Sequence, residues 1–278
     1  MIAIGSYNSL EIVRKVDFGV YLSDGETDVL LPLRQVPERA GQGEVLRVFV
    51  YTDSEDRPIA TTYTPKAVAG EFGFLEAKSV GSFGAFVDWG LDKDLLVPFS
   101  EQRYPLMEGR SYVVRVLVDK LTNRVIGSTK LSKYLTEDTS LLSEGQEVDA
   151  FFFQHTDDGT MAIVNGKYRA ALFPDEIFER LRVGERRRAY IKKIREDGKL
   201  SLSLSPQGYE AIASKAPSII DLLKRNGGFL PYSDSTSPET IRAVFGMSKG
   251  SFKKLIGGLL RDGKIEISYH GIRLIDKK

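Results

Sequence analysis

The stretch SFGAFVDW at residues 82–89 places three aromatic side chains and one glycine within eight residues. Its pattern recurs in DFGVYL at residues 17–22, and DDGTMAIV at residues 157–164 is a weaker third copy. Repetition of a short pattern along a chain indicates repeated structural units. We therefore interpret the stretch as the best-preserved member of a set of three.

Three further landmarks follow each copy in the same order. A short apolar run ends in a proline, a glycine precedes alternating apolar residues, and a turn leads into a last strand. The prolines are Pro32, Pro98 and Pro174, and the glycines are Gly43, Gly109 and Gly184. Each unit of about 60 residues thus predicts five short strands. A partly closed barrel accommodates them without exposed edges, with an OB-fold as the first expectation and an SH3-like barrel as the alternative.

Near the C-terminus the apolar period changes from that of strands to that of helices. Ser237 and Ser248 stand at helix N-cap positions, and Gly246 follows the second of three helices. KIEISYHGIRLID at residues 264–276 predicts two strands around a His270–Gly271 turn. Three helices and a terminal hairpin indicate a winged helix, a variant of the helix-turn-helix.

The predicted fold is mainly β with a C-terminal α+β domain. Three tandem OB-fold barrels span residues 1–64, 65–133 and 134–206, and a winged-helix domain spans residues 207–278. The first barrel holds six Lys and Arg against ten Asp and Glu, whereas the winged helix holds twelve against seven. An acidic barrel repels phosphates. We therefore interpret the first barrel as a spacer or a protein contact, and assign the basic footprint to the second barrel, the winged helix and a local patch of the third.

The pattern FGAFV … LLVPFSE … GRSYVVRVLVD … NRVIGSTK resembles the RNA-binding barrel named after ribosomal protein S1. Three such barrels followed by a winged helix resemble the CvfB family of bacterial regulators, also called YitL-like, most clearly over residues 226–267. The resemblance implies an OB-fold tandem, RNA binding and post-transcriptional regulation. Barrels of that class commonly carry a histidine where the third-strand run here ends in Pro32, Pro98 or Pro174, so no base contact by that histidine is carried over.

Single-stranded nucleic acid binds to aromatic side chains within a positively charged groove. The RNA-binding candidates are Phe83, Phe86, Arg115, Arg124 and Lys130 in the second barrel, Phe18 and Tyr21 in the first, and Lys192, Lys193, Arg195 and Lys199 in the third. The aromatic residues have an alternative interpretation as strand core, and the basic run of the third barrel has one as a solvated edge strand.

A strict two-residue period would send Phe83 and Phe86 to opposite faces of their strand. A bulge at Gly84 would bring both rings onto the nucleic-acid face. Without that bulge, Phe86 alone is the expected site of base stacking.

Basic residues of the winged helix lie where they suit phosphate contacts. Lys249, Lys253 and Lys254 fall on the second helix of the helix-turn-helix, and Lys264 and Arg273 border the wing. A solvated face that contacts protein is the alternative interpretation.

The sequence holds no metal-ligand spacing, phosphate-binding glycine loop or nucleophile elbow, so we expect no catalytic residue, metal, cofactor or enzymatic activity. The absence of cysteine and of long apolar runs predicts a cytoplasmic protein without a membrane segment. Our main hypothesis is a monomeric post-transcriptional regulator that binds single-stranded RNA through several modules. The ribosome and RNA-processing proteins are further candidate partners. The alternative is a transcriptional regulator whose winged helix binds duplex DNA while the barrels contact protein.

Overall fold

The computed structural model describes residues 1–177, 180–205 and 216–275. The chain forms two compact units, the first comprising Met1–Tyr134 and the second beginning at Leu135. Two β-barrels make up the first unit, and a third barrel and a winged helix make up the second. Within the described ranges, no helix is long and apolar enough to cross a membrane.

The first barrel is closed and consists of β1 (Ser6–Val16), β2 (Gly19–Ser23), β3 (Asp28–Pro32), β4 (Val45–Thr52) and β5 (Pro58–Thr61). Its strand order is β1-β2-β3-β5-β4, in which β3 and β5 run parallel and the other neighbours run antiparallel. This five-stranded topology is that of the OB-fold, which confirms the first expectation over the SH3-like alternative.

The other two barrels repeat this plan. The second consists of β6 (Phe72–Val80), β7 (Gly84–Asp88), β8 (Leu95–Pro98), β9 (Ser111–Val118) and β10 (Val125–Ser128), and the third of β11 (Glu147–Thr156), β12 (Gly159–Val164), β13 (Tyr168–Leu172), β14 (Arg186–Ile194) and β15 (Leu200–Ser203). The third barrel is closed like the first, whereas the second is a sheet of order β10-β9-β6-β7-β8. In the second barrel Gly127 of β10 lies against the Val97 side chain of β8, so the sheet nearly closes.

The repeated glycine lies at the start of the second strand of each barrel and touches the backbone of the third. A Cβ atom there would come within 2.4 Å of a carbonyl oxygen: Gly19 against Leu31, Gly84 against Val97, and Gly159 against Leu172. No side chain fits at that distance. Each barrel therefore requires glycine at this position, because only glycine lets the two backbones pack this closely.

The bulge predicted at Gly84 lies instead on the neighbouring strand. In its pairing with β7, β6 carries one extra residue, Lys78. The same irregularity recurs at Val13 of β1 and at Phe153 of β11. An extra residue bends its strand and increases the local twist, so all three barrels curve at an equivalent point of their first strand.

The prolines that follow the third strands are not equivalent in all three barrels. Pro32 and Pro98 each stand at the N-cap of a short 3-10 helix. In the third barrel Phe173 holds that position, and Pro174 is the first helical residue. The alignment of Pro174 with the other two prolines is therefore wrong by one residue.

The winged helix contains α1 (Ala216–Arg225), β16 (Phe229–Leu230), α2 (Pro238–Phe245), α3 (Lys249–Arg261), β17 (Ile265–Ser268) and β18 (Gly271–Leu274). The predicted caps form, because Ser237 and Ser248 accept hydrogen bonds from backbone N–H groups of their helices and Gly246 adopts a left-handed conformation. The wing turn lies at residues 269–270, one residue before the predicted turn, since Gly271 pairs with the last residue of β17. The short β16 extends the sheet and was not predicted.

We expect Gly19→Ala to destabilise the first unit, because its methyl group would overlap the Leu31 carbonyl oxygen. Overpacking of this kind costs about 1–3 kcal/mol. Gly41→Ala is the control, since a methyl group there meets open space, and its effect should stay within about 1 kcal/mol. Denaturant unfolding measures both variants. Equal losses of stability in Gly19→Ala and Gly41→Ala would show that the contact between Gly19 and the Leu31 carbonyl oxygen does not matter for stability.

Candidate nucleic-acid interface

Neither Phe83 nor Phe86 of the opening stretch belongs to the core of the second barrel. Ala85 and Val87 of β7 point inward and are fully buried, whereas Phe86 lies on the outer face and is half-buried. Phe83 precedes the strand and is 75% exposed. The alternation of β7 therefore places Phe86 outward, and the loop before Gly84 presents Phe83 to solvent.

Both rings line one cavity of about 280 Å³ within the first unit, which we call the inter-barrel cavity. Its lining from the first barrel is Tyr51, Thr52, Ser54 and Asp56, and from the second Phe83, Phe86, Trp89, Lys93, Asp94, Leu95, Leu96, Arg124, Val125 and Ile126. The site thus takes one wall from each barrel. Aromatic, basic and acidic side chains meet in it.

Trp89, at the end of the opening stretch, joins the two barrels. Its buried indole packs edge-on against Phe49 and Tyr51 of the first barrel, with ring centroids 5.6 and 5.9 Å apart. The indole Nε1–H donates a hydrogen bond of 2.6 Å to the carbonyl oxygen of Lys93. Because this ring binds both the first barrel and the loop before β8, it fixes that loop at the cavity.

The Lys93 ammonium also crosses the joint. Its Nζ donates to the carbonyl oxygens of Thr52 and Asp53, at 3.0 and 2.6 Å. Burial lowers the pKa of Lys93 below its ordinary value. Sequence reasoning missed this residue because its partners are backbone atoms about forty residues earlier in the chain, which no local pattern reveals.

Among the basic residues of the second barrel that were predicted to bind RNA, Arg124 lines the cavity. It lies in the turn between β9 and β10 and forms an ion pair with Asp56, in the equivalent turn of the first barrel. The two turns have matching backbones, since Asp56 and Asn123 both adopt positive φ angles, of 63° and 57°. Equivalent turns of successive barrels therefore meet at the edge of the cavity.

Two other predicted cations of the second barrel do not line the cavity. The Arg115 guanidinium lies 4.6 Å from the ring centre of Phe72 and 5.7 Å from that of Tyr134, and burial lowers its pKa. Lys130 donates a hydrogen bond of 2.6 Å to the carbonyl oxygen of Ser100. Of the five candidates in this barrel, the cavity brings together the two phenylalanines and Arg124.

Phe99 is an exposed aromatic that the sequence analysis did not single out. It follows Pro98, is half exposed, and its N–H donates to the carbonyl oxygen of Phe83 at 3.2 Å. In the first barrel, the N–H of Leu33 donates to the carbonyl oxygen of Phe18 in the same way. The sequence could have identified Phe99 by its position directly after Pro98, one of the repeated prolines.

The first barrel presents its two aromatic candidates differently. Phe18 is 59% exposed, in the position equivalent to Phe83. Tyr21 lies on the outer face of β2, where the Arg14 guanidinium stands 4.3 Å from its ring centre. A cation already covers Tyr21, so its ring is less accessible to a base than that of Phe86.

The basic run of the third barrel lies largely in ion pairs. Lys192 binds Glu176 at 2.6 Å, and Arg195 and Lys199 share Asp197 at 3.5 and 2.8 Å. Lys193 is exposed. The interpretation of this run as an edge strand is wrong, because β14 pairs with β11 on one side and β15 on the other.

The predicted cations of the winged helix lie on its surface, with Lys249 half-buried at the start of α3. Lys253 of α3 is 3.6 Å from Asp234, and Lys264 is 3.5 Å from Asp262, while Lys254 of α3 is exposed. The Arg273 guanidinium stands 5.3 Å from the ring centre of Phe229. At the tip of the wing, Tyr269 is 85% exposed.

Two family models match parts of the chain. A model described as S1 domain matches residues 4–63, which is the first barrel, and one described as CvfB-like winged helix domain matches residues 217–274. Both matches fall on modules whose topology is described above. Together they support a nucleic-acid-binding role.

Several relatives align over nearly the whole chain. Conserved virulence factor B of Staphylococcus epidermidis is 28% identical over 99% of this chain and 95% of its own. A crystal structure from Streptococcus pneumoniae, described as a multidomain protein with nucleic acid binding domains, is 28% identical, covers 98% of both chains and has a TM-score of 0.43. YitL of Bacillus subtilis is 32% identical over 94% of this chain and 90% of its own. At that identity and coverage, the chain belongs to the family of YitL and conserved virulence factor B.

Proposed function

We propose that the chain binds single-stranded RNA at the inter-barrel cavity and acts as a non-enzymatic post-transcriptional regulator in the cytoplasm. The observation that carries the proposal is that Phe83, Phe86 and Arg124 line the same cavity. Bases stack on aromatic rings with about 1–3 kcal/mol each, and nearby cations attract the phosphates. These three side chains supply both elements of such a site.

The geometry favours a single strand over a duplex. In a duplex each base is stacked between its neighbours and paired along its edge, so its faces cannot reach Phe83 or Phe86. An unpaired base can turn away from its strand and enter a cavity of about 280 Å³. The proposed ligand is therefore an unpaired stretch of RNA.

The winged helix adds a second contact in this proposal. The exposed ammonium groups of Lys253 and Lys254 on α3 suit phosphates. A second weak site on the same chain raises overall affinity without new contacts at the first. The monomeric state and contacts with the ribosome or RNA-processing proteins stay predictions.

Those lysines also support the second candidate function, which is binding of duplex DNA by the winged helix. An α-helix with exposed cations fits a major groove. The two functions differ in where binding energy arises, since only the RNA site depends on the rings of Phe83 and Phe86. Substitution of those rings separates them.

We expect Phe83→Ala and Phe86→Ala each to weaken binding of a labelled single-stranded RNA by about 1–3 kcal/mol, because each removes one stacking surface. Fluorescence anisotropy over a range of salt concentrations measures the loss. Tyr104→Ala is the matched control, since Tyr104 is 65% exposed on the same barrel but does not line the cavity. Two results would contradict the proposal. One is an unchanged RNA affinity when Phe83→Ala and Phe86→Ala are combined, and the other is tighter binding of duplex DNA than of single-stranded RNA by the native chain.

Asp56→Asn is expected to tighten RNA binding by about two- to fivefold, because it releases Arg124 and the free energy of an exposed ion pair is about 1 kcal/mol or less. Asparagine tolerates the positive φ at this position, so the turn should persist. Glu108→Gln makes the same charge change at an exposed site away from the cavity.

Asp56→Asn is then combined with Arg124→Met, and RNA affinity is measured in the same anisotropy assay. Without the guanidinium, Asp56→Asn should no longer tighten binding beyond what Glu108→Gln does. A gain that persists without Arg124 would mean that the ion pair does not regulate the site.

A further inference from the structure

Asp94 is a carboxylate of the inter-barrel cavity to which the proposed function assigns no role. It directly precedes β8, in which Leu96 pairs with Phe86 of β7. Asp94 lies two residues before Leu96, and both Asp94 and Phe86 line the inter-barrel cavity. A base stacked on Phe86 would thus bring its edge towards this carboxylate.

The charge of Asp94 lacks a direct partner in the part of the chain that the structure describes. No hydrogen bond or ion pair engages its side chain there, whereas Asp56 is paired with Arg124 and Asp88 with Lys66. Burial, assisted by the negative charge of Asp88, raises the pKa of the Asp94 carboxyl above its ordinary value. The oxygens of this carboxylate remain accessible to solvent, so a ligand in the cavity can donate hydrogen bonds to them.

The four bases differ in the donors that they offer along the Watson–Crick edge. Guanine has two adjacent donors, N1–H and the N2 amino group, which match the two oxygens of a carboxylate. In adenine and cytosine the amino group stands beside a ring nitrogen acceptor, and in uracil a single N–H lies between two carbonyl oxygens. These acceptors repel a carboxylate.

We infer that the inter-barrel cavity selects guanine, which stacks on Phe86 and donates two hydrogen bonds to Asp94. The inference rests on the proposed function, because it requires that a base enters the cavity. It adds base specificity to a site in which stacking alone accepts any base. A bidentate contact of this kind discriminates between bases by about fivefold or more.

The test uses labelled uridine strands of about twelve nucleotides with one central guanosine, inosine or adenosine, bound to the full chain. We expect the native chain to bind the guanosine strand about fivefold or more tightly than the adenosine strand. Inosine lacks the N2 amino group and should fall between them. Asp94→Ala should bind all three strands equally.

Glu108→Ala is the control for charge, since it removes one exposed carboxylate outside the cavity and should preserve the guanosine preference. Thermal unfolding of both variants verifies that they fold. Equal binding of guanosine and adenosine strands by the native chain, or a preference that survives in Asp94→Ala, would overturn guanine selection and leave RNA binding intact. Failure of the native chain to bind any strand would overturn the proposed function as well.

Discussion

The contact between a glycine of the second strand and a carbonyl oxygen of the third sets the shape of every barrel in this chain. At Gly84 the oxygen of Val97 occupies the space that a side chain would need. Once that contact is made, the residue before the glycine leaves the strand, and Phe86 faces outward by simple alternation. The exposure of Phe83 and Phe86 is therefore a consequence of backbone packing and does not require a bulge at the glycine.

A single barrel would not form the inter-barrel cavity. The indole of Trp89 packs into the first barrel while its N–H binds the carbonyl oxygen of Lys93. The Lys93 ammonium then binds carbonyl oxygens of the first barrel. These contacts hold the loop that carries Asp94 beside Phe86. The opening stretch thus contains both the candidate stacking ring and Trp89, the residue that joins the two walls of its site.

Local and repeated signals were sufficient to predict most of the fold. Repeated glycine spacing predicted the barrels, and the serines at positions 237 and 248 cap their helices as expected. Features that depend on distant residues were missed. The bulge at Lys78 and the pairing of β16 with β18 depend on neighbouring strands, and the ion pair of Arg124 joins residues 68 positions apart. For the same reason sequence identified Phe83, Phe86 and Arg124 separately but not the cavity that they share.

Net charge alone does not describe how the first barrel contributes to the cavity. Its acidic balance predicts repulsion of phosphates, yet Asp56 of this barrel holds the guanidinium of Arg124 at the cavity edge. An acidic wall weakens the binding that any polyanion gains from charge alone, and it leaves the stacking surfaces unaffected. Affinity then depends more on the fit of a base and less on the number of phosphates. On the RNA-binding proposal, the acidic first barrel lowers the contribution of charge to affinity, and selection among bases comes from stacking on Phe86 and hydrogen bonds to Asp94 of the second barrel.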